Sequence, residues 1–352
     1  GTDNEALRND PMYLGERHAR LTGVPYDALL DEFVAAARAV FPGVVVQFED
    51  FNNACAFRVI DRYRNQLCCF DDDVQGTGAM GLAGLRSAAR ITGRGLIDQR
   101  ILFVGAGEAC LGIGAIVVAA MCREGLSEAD ARGRCLFIDS RGAVIKSRQD
   151  LSGQKRPFAQ DRRPMPDLLA AVEEFRPTVL IGASGQSGMF TQSVLEAMAR
   201  FNERPVVFAL SNPTSKAECT AEQAYGWTSG RAVFASGSPF PAVTSAGRTH
   251  SPGQANNSYI FPGMGLGLLV SGARTVSDEM FFAAAGALAG LVSEADLQQG
   301  RVFPVAAQMR EVAVAVSVAV AAVAYEQGHA TVPRPADVRA AVARFMYSPD
   351  YS

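Results

Sequence analysis

Along the chain, short runs of β-branched and aromatic residues alternate with longer alanine-rich stretches. Short β-branched, aromatic or otherwise apolar runs, at 44–48, 67–70, 101–104, 135–138, 178–181, 206–210 and 232–235, predict strands. Helices are predicted near 79–91, 112–124, 167–175 and 192–199. Strands apolar on both faces and joined by helices describe a parallel sheet covered on both sides. The segment from about 74 to 254 therefore reads as one doubly wound α/β unit, a Rossmann-type arrangement. After it, 257–297 and 303–327 predict helices without strands, and the first fifty residues are also largely helical. No repeat or low-complexity segment interrupts this order.

Composition adds limits. The 352 residues suggest two domains and bury an ample core without a staple. With 33 basic against 36 acidic residues the net charge is −3, which gives no electrostatic reason to expect nucleic acid or an anionic membrane as partner. Only Lys146, Lys155 and Lys216 are lysines, so a mechanism needing a lysine base has three candidates. Seven cysteines, an odd count without a CxxC pair, indicate neither a disulfide framework nor a zinc site. They fit a reducing, cytoplasmic setting. The longest apolar stretch, 312–325, is too short to span a bilayer and reads as a core helix. Gly1 rather than Met opens the sequence, as in a processed chain or a fragment.

The run Ile101-Leu102-Phe103-Val104-Gly105-Ala106-Gly107-Glu108-Ala109-Cys110 is a strand, a glycine turn and a helix start. Gly105 suits a tight turn, and Gly107 suits a pyrophosphate approaching the backbone at a helix N-terminus. An ordinary strand-to-helix turn has the same look. Asp139 ends the next strand, where an acid would meet the adenosine ribose. Ser140, Arg141, Lys155 and Arg156 follow, and cations there favour a 2′-phosphate, hence NADP over NAD. A solvated charged loop is the alternative. Gly182 to Gly188 follows a further strand at the edge where cofactors bind, or forms a flexible loop.

Acids cluster after two apolar strands: Glu49 and Asp50 after one, Asp71, Asp72 and Asp73 after another. Like charges without a local basic partner repel, and a divalent cation would remove that penalty. Carboxylate oxygens without His or Cys select Mg2+ or Mn2+. Helix caps and loop acids are the other reading. Ser211-Asn212-Pro213-Thr214 and Gly253-Gln254-Ala255-Asn256-Asn257 supply amides that could bind a carboxylate or hydroxyl, although Asn-Pro is also a turn signal.

Taken in order, the opening Gly1-Thr2-Asp3-Asn4-Glu5, Gln47 to Phe51, Phe70 to Thr77, Gly105 to Ala109, Ala209 to Thr214 and Gly253 to Asn257 resemble the motifs of the malic enzyme family, and the resemblance runs to about Gly328. It implies that Glu49, Asp50 and Asp73 are metal ligands and that Asp72 is the acid beside a catalytic lysine. It implies substrate contacts at Asn212 and Asn257. Cofactor positions fall at Thr77, Gly105, Gly107, Glu108, Ala109, Asp139, Ser140, Arg141, Arg156 and Asn256, with the 140–157 pattern nearer the NADP-using members. Asp71 stands where Asn is usual and Cys110 where Ala is usual. The resemblance implies that the N-terminal segment carrying the family's tyrosine acid, lysine base and substrate-gripping arginine is missing from this sequence, and that none of the three lysines is the base. The resemblance therefore implies the cofactor- and metal-binding portion of a decarboxylating L-malate oxidoreductase, a homodimer or homotetramer. Malolactic chemistry or a non-catalytic dinucleotide-binding module are the alternatives. The expected partition is 1–73 and 257–328 for a discontinuous malate- and metal-binding domain, 74–256 for the Rossmann domain, and 329–352 for a tail.

Overall fold

The computed structural model describes residues 1–347; the end of the expected tail, 348–352, lies outside the described residues. The chain forms two compact units, Gly1–Val44 and Val45–Ser352. The first contains helices Glu5–Asn9 and Val24–Val40. Its N-terminal residues are pinned by the Thr2 amide donating to the His18 carbonyl at 2.8 Å and the Arg20 amide donating to Asp3 Oδ1 at 3.0 Å.

In the second unit, β1 (Val45–Phe48) and β2 (Cys68–Asp71) form a small parallel pair, with Phe48 opposite Asp71. The large sheet contains β3 (Ile101–Val104), β4 (Cys135–Asp139), β5 (Gly142–Ala143), β6 (Val179–Gly182), β7 (Val206–Ala209), β8 (Val233–Ser236) and β11 (Gly253–Gln254). Their spatial order is β11-β8-β7-β6-β3-β4-β5, parallel except for β5. From β3 the chain passes to β4 on one side and returns to β6 on the other, so the topological switch lies at the carboxyl end of β3, where such sheets bind ligands.

Side-chain alternation divides the core into two layers. Ile101, Phe103, Phe137, Ile181 and Phe208 face one layer, with helices Thr77–Thr92, Glu108–Arg123 and Asp278–Gly290. Leu102, Val104, Leu136, Leu180 and Val207 face the other, under helices Leu168–Phe175, Gln192–Phe201 and Ala221–Trp227. This is the two-sided coverage that makes the strands apolar throughout.

Among the described residues the seven expected strands are present, and four short ones are additional. Among these, β9 (Val243–Ser245) and β10 (Arg248–His250) form a separate polar hairpin. Ala246 and Gly247 both have positive φ there, the twist a two-residue hairpin turn needs, but Ala is not the residue that signals it. The expected 257–297 helix is broken into Phe261–Ser271, Asp278–Gly290 and Glu294–Gln298, the first stopped by left-handed Gly272. The helix Met309–Glu326 outruns its apolar stretch, and Ala306–Glu326 has the length and composition to cross a membrane. Val312, Val316, Val320 and Ala324 on it are nevertheless fully buried. Gly263 and Gly267 of the neighbouring helix approach its backbone and valines so closely that a Cβ would collide.

Candidate active site

The glycine turn does what its spacing demands. The chain leaves β3 at Gly105 with φ 111°, and a Cβ there would stand 2.8 Å from the Ala183 carbonyl oxygen in the loop after β6. Only glycine fits both constraints. Gly107 is the N-cap of Glu108–Arg123 and offers no side-chain cap, so the first-turn amides are left for an anion. Cys110 is buried and its thiol contacts the Val104 carbonyl at 3.8 Å, in keeping with a small residue between helix and strand.

These residues open onto a groove of about 600 Å3 walled by Gly105, Gly107, Asp139, Ser140, Lys155 and Ser184, among others. Asp139 at the end of β4 is held by Arg148 (2.8 and 3.2 Å), Lys155 Nζ (2.7 Å) and the Arg141 amide (3.0 Å). Burial pushes its carboxyl up, but the hydrogen bonds from Arg148 and Lys155 outweigh it and leave it below the usual carboxylate range. The basic residues expected beside the ribose separate here. Lys155 faces the groove, Arg141 pairs outward with Asp150 at 3.0 Å, and Arg156 Nε donates to the Leu151 carbonyl at 3.2 Å. Thr77, Glu108, Ala109 and Asn256 also lie off the groove walls: Thr77 starts a helix, and Asn256 Oδ1 accepts the Ser258 amide at 2.9 Å. Arg148, half-buried against Asp139, is not singled out by any spacing among the chain's many arginines.

The acidic cluster follows from the pairing of β1 with β2. Because the strands run parallel and end level, Glu49 and Asp50 emerge beside the π-helical turn Asp72–Gly76. Asp73 Oδ2 accepts the Asp50 amide at 2.7 Å, and Glu49 accepts from the Gln47 amide side chain at 2.9 Å. Asp72 Oδ2 accepts from Asn257 Nδ2 at 2.5 Å, while its Oδ1, Asp71 Oδ2 and Glu108 Oε1 are buried without a partner. Burial, then Glu49, Asp73 and Asp71, pushes the Asp72 carboxyl up to about 8. Burial is also the main cause that takes Asp71 up to about 6 and Glu108 to about 7.

Among the described residues no three carboxylates, imidazoles or thiols converge closely enough to hold one ion. Glu49 is turned to the Gln47 side chain and Asp73 to the Asp50 amide, an arrangement in which the anions do not converge. The donor set still fits a hard divalent cation: all oxygen, with orphaned buried carboxylate oxygens beside it.

Asn212 lies exposed in the loop after β7, preceded by Ser211, and a cis bond joins it to Pro213. Of the three lysines, Lys155 is paired with Asp139, and Lys146 and Lys216 are exposed. Sequence reasoning passed over Glu218, whose buried side chain ties together the loops after β6 and β7.

Sequence profiles described as malic enzyme NAD binding domain and malic enzyme N-terminal domain match residues 74–325 and 1–64. The NADP-dependent malic enzyme of Columba livia is 48% identical across all of this chain and 64% of its own length. The mitochondrial NADP-dependent malic enzyme of Homo sapiens is 45% identical across all of this chain and 59% of its own length. The chain thus spans less than two thirds of these relatives. Among solved structures, the Entamoeba histolytica malic enzyme superposes with a TM-score of 0.72 at 25% identity, over 90% of this chain and 61% of that one. The Pyrococcus horikoshii malic enzyme superposes at 0.69 and 24% identity, over 89% of this chain and 69% of that one, a likeness of fold.

Proposed function

Because the chain belongs to the malic enzyme family, we propose that it contributes the cofactor- and metal-binding part of an enzyme that converts L-malate to pyruvate and CO2. NADP+ is the acceptor, with NAD+ as alternative. The observation that carries this reading is the meeting of two unlike features: a dinucleotide groove, and beside its helix a cluster of acids with unpartnered buried oxygens.

Glu49, Asp50 and Asp73 would hold Mg2+ or Mn2+. When bound, the cation would supply Lewis acidity at the malate hydroxyl and the dinucleotide a hydride acceptor. Asn212 and Asn257 present amides to the substrate's carboxylates or hydroxyl. Asp72 lies behind Asn257 and fixes its amide by the 2.5 Å hydrogen bond. Gly105, Gly107 and the helix start at Glu108 and Ala109 admit the pyrophosphate, with Thr77 and Asn256 further along the same bound cofactor. Asp139 and Ser140 address the ribose. Lys155 supplies the cation for a 2′-phosphate, with Arg141 and Arg156 outside it. Lys155 is engaged with Asp139 and Lys146 and Lys216 are exposed, so none of the three is assigned as the proton acceptor at the hydroxyl.

On this reading 1–73 and 257–328 serve malate and metal, 74–256 serves the dinucleotide, and 329–352 is a tail. The partners are small molecules and a second copy of the chain, with no nucleic acid or membrane. Seven free cysteines suit a reducing, cytoplasmic compartment. The test is malate-dependent NADP+ reduction by the intact protein with Mn2+, with the product identified. Pyruvate is expected, and Asp73→Ala abolishes the metal-dependent rate. Undiminished turnover in that variant overturns the metal assignment, and lactate as product overturns the reaction.

A further inference from the structure

Glu218 follows the Asn212 loop, in the segment Ala217 to Thr220 that precedes the helix Ala221–Trp227. Its side chain is fully buried, an expensive place for a carboxylate unless donors surround it. They do. Oε1 accepts the Ser184 amide at 3.0 Å, the Ser184 hydroxyl at 3.0 Å and the Ser211 hydroxyl at 2.5 Å, and Oε2 accepts the Ser211 amide at 3.3 Å. Ser211 Oγ in turn accepts the Gly185 amide at 2.9 Å. The backbone helps: the Phe190 amide donates to the Glu218 carbonyl at 3.0 Å.

These donors belong to two loops with separate duties. Ala183 and Ser184 wall the dinucleotide groove, and the Ala183 carbonyl is the wall that Gly105 must pass. Ser211 immediately precedes Asn212, the proposed malate contact. The fold has also made room for the carboxylate. Gly182, the last residue of β6, lacks the Cβ that would stand 2.7 Å from Glu218 Cγ and Cδ.

We propose that Glu218 is a positioning residue that holds the dinucleotide-side loop and the malate-side loop in one fixed relation. The inference rests on the cofactor reading above and deepens it. Without the carboxylate, Ser184 and Ser211 lose their common acceptor, and each loop must be ordered afresh by its ligand, which weakens binding. A glutamine at this position keeps the volume but presents an NH2 donor among donors, so Glu218→Gln isolates the acceptor role.

The experiment is calorimetric titration of NADP+ into the intact protein, wild type and Glu218→Gln, with thermal midpoints measured in parallel. Roughly tenfold weaker NADP+ binding is expected in Glu218→Gln. Asn202→Ala is the structural control: its buried amide donates to the Pro177 and Met198 carbonyls at 2.9 Å, away from the groove. It lowers the midpoint and leaves NADP+ affinity within twofold. If Glu218→Gln does not fold, Ser184→Ala and Ser211→Ala each remove one hydroxyl donor and carry the same expectation of weakened binding. Wild-type protein that binds NADP+ while the variants bind within twofold of it overturns the role of Glu218 alone. Wild-type protein that binds neither NADP+ nor NAD+ overturns the cofactor reading and the inference with it.

Discussion

The Asn257 side-chain amide donates to Asp72 Oδ2 across 2.5 Å, joining the turn after β2 to the turn after β11, 185 positions apart. A buried carboxylate with one orphaned oxygen has this amide as its side-chain partner. Asn257→Ala therefore costs about 2 kcal/mol, the range for stranding a buried polar group. Asn257→Asp costs more above the raised Asp72 value of about 8, where Asp72 is ionised and meets a second anion. Urea denaturation of the metal-free protein above that pH ranks the two, and an aspartate variant as stable as the alanine variant would contradict the contact.

Lys155 is the cation that both faces the groove and touches Asp139. Lys155→Ala is expected to weaken NADP+ about tenfold or more, roughly 1.4 kcal/mol, while changing NAD+ little. Arg141→Ala and Arg156→Ala do less, since their side chains are directed elsewhere. Ratios of kcat/KM for the two dinucleotides in the intact protein decide it. Equal losses for both would remove the 2′-phosphate from the account.

The Asp139 pairings carry a pH signature. Its carboxyl is held below the ordinary range in the folded chain, so their contribution is complete above the unfolded value of about 4. It is lost as pH falls through the lower folded value. Wild type therefore loses stability between pH 5 and pH 3 more steeply than Asp139→Asn, measured by denaturant midpoints. Parallel slopes would mean the pairings contribute nothing. Arg148→Ala, which leaves the same carboxylate to Lys155 and the Arg141 amide, is expected to cost about 2 kcal/mol at pH 7.

Gly112 sits where the dinucleotide helix crosses the acid-bearing turn, and a Cβ there would lie 2.2 Å from the Val74 carbonyl oxygen. Gly112→Ala is expected to destabilise by at least about 2 kcal/mol, as overpacking against backbone does. It should also weaken Mn2+ binding, because Val74 directly follows Asp73. A variant with unchanged stability and metal affinity would show that the two elements can separate.

Much of this was legible in the residues. Strands β3, β4, β6, β7 and β8 are apolar on both faces, so the parallel sheet announced itself, and Gly105 announced the turn because few other reasons demand a glycine there. What escaped had no periodic or compositional mark. The hairpin turn is Ala246-Gly247, which lacks the usual asparagine. Arg148 is one arginine among many, chosen by where β5 places it. Glu218 reads as a solvated acid until the fold closes two serine loops around it. The spread of Arg141 and Arg156 away from the groove is likewise a matter of side-chain direction, which spacing does not encode.

The level ends of β1 and β2 make the acidic centre a matter of indexing. Phe48 stands opposite Asp71, and everything that follows each strand inherits that alignment. A slip of one residue in either strand would turn its side chains to the wrong face and break up the centre at once. The connection between them, containing the helix Asn53–Tyr63, can lengthen or shorten at small entropic cost without moving the acids apart. Variation among descendants of this sequence is thereby channelled: the tether is free to drift in length, and the two short strands are locked to a single count.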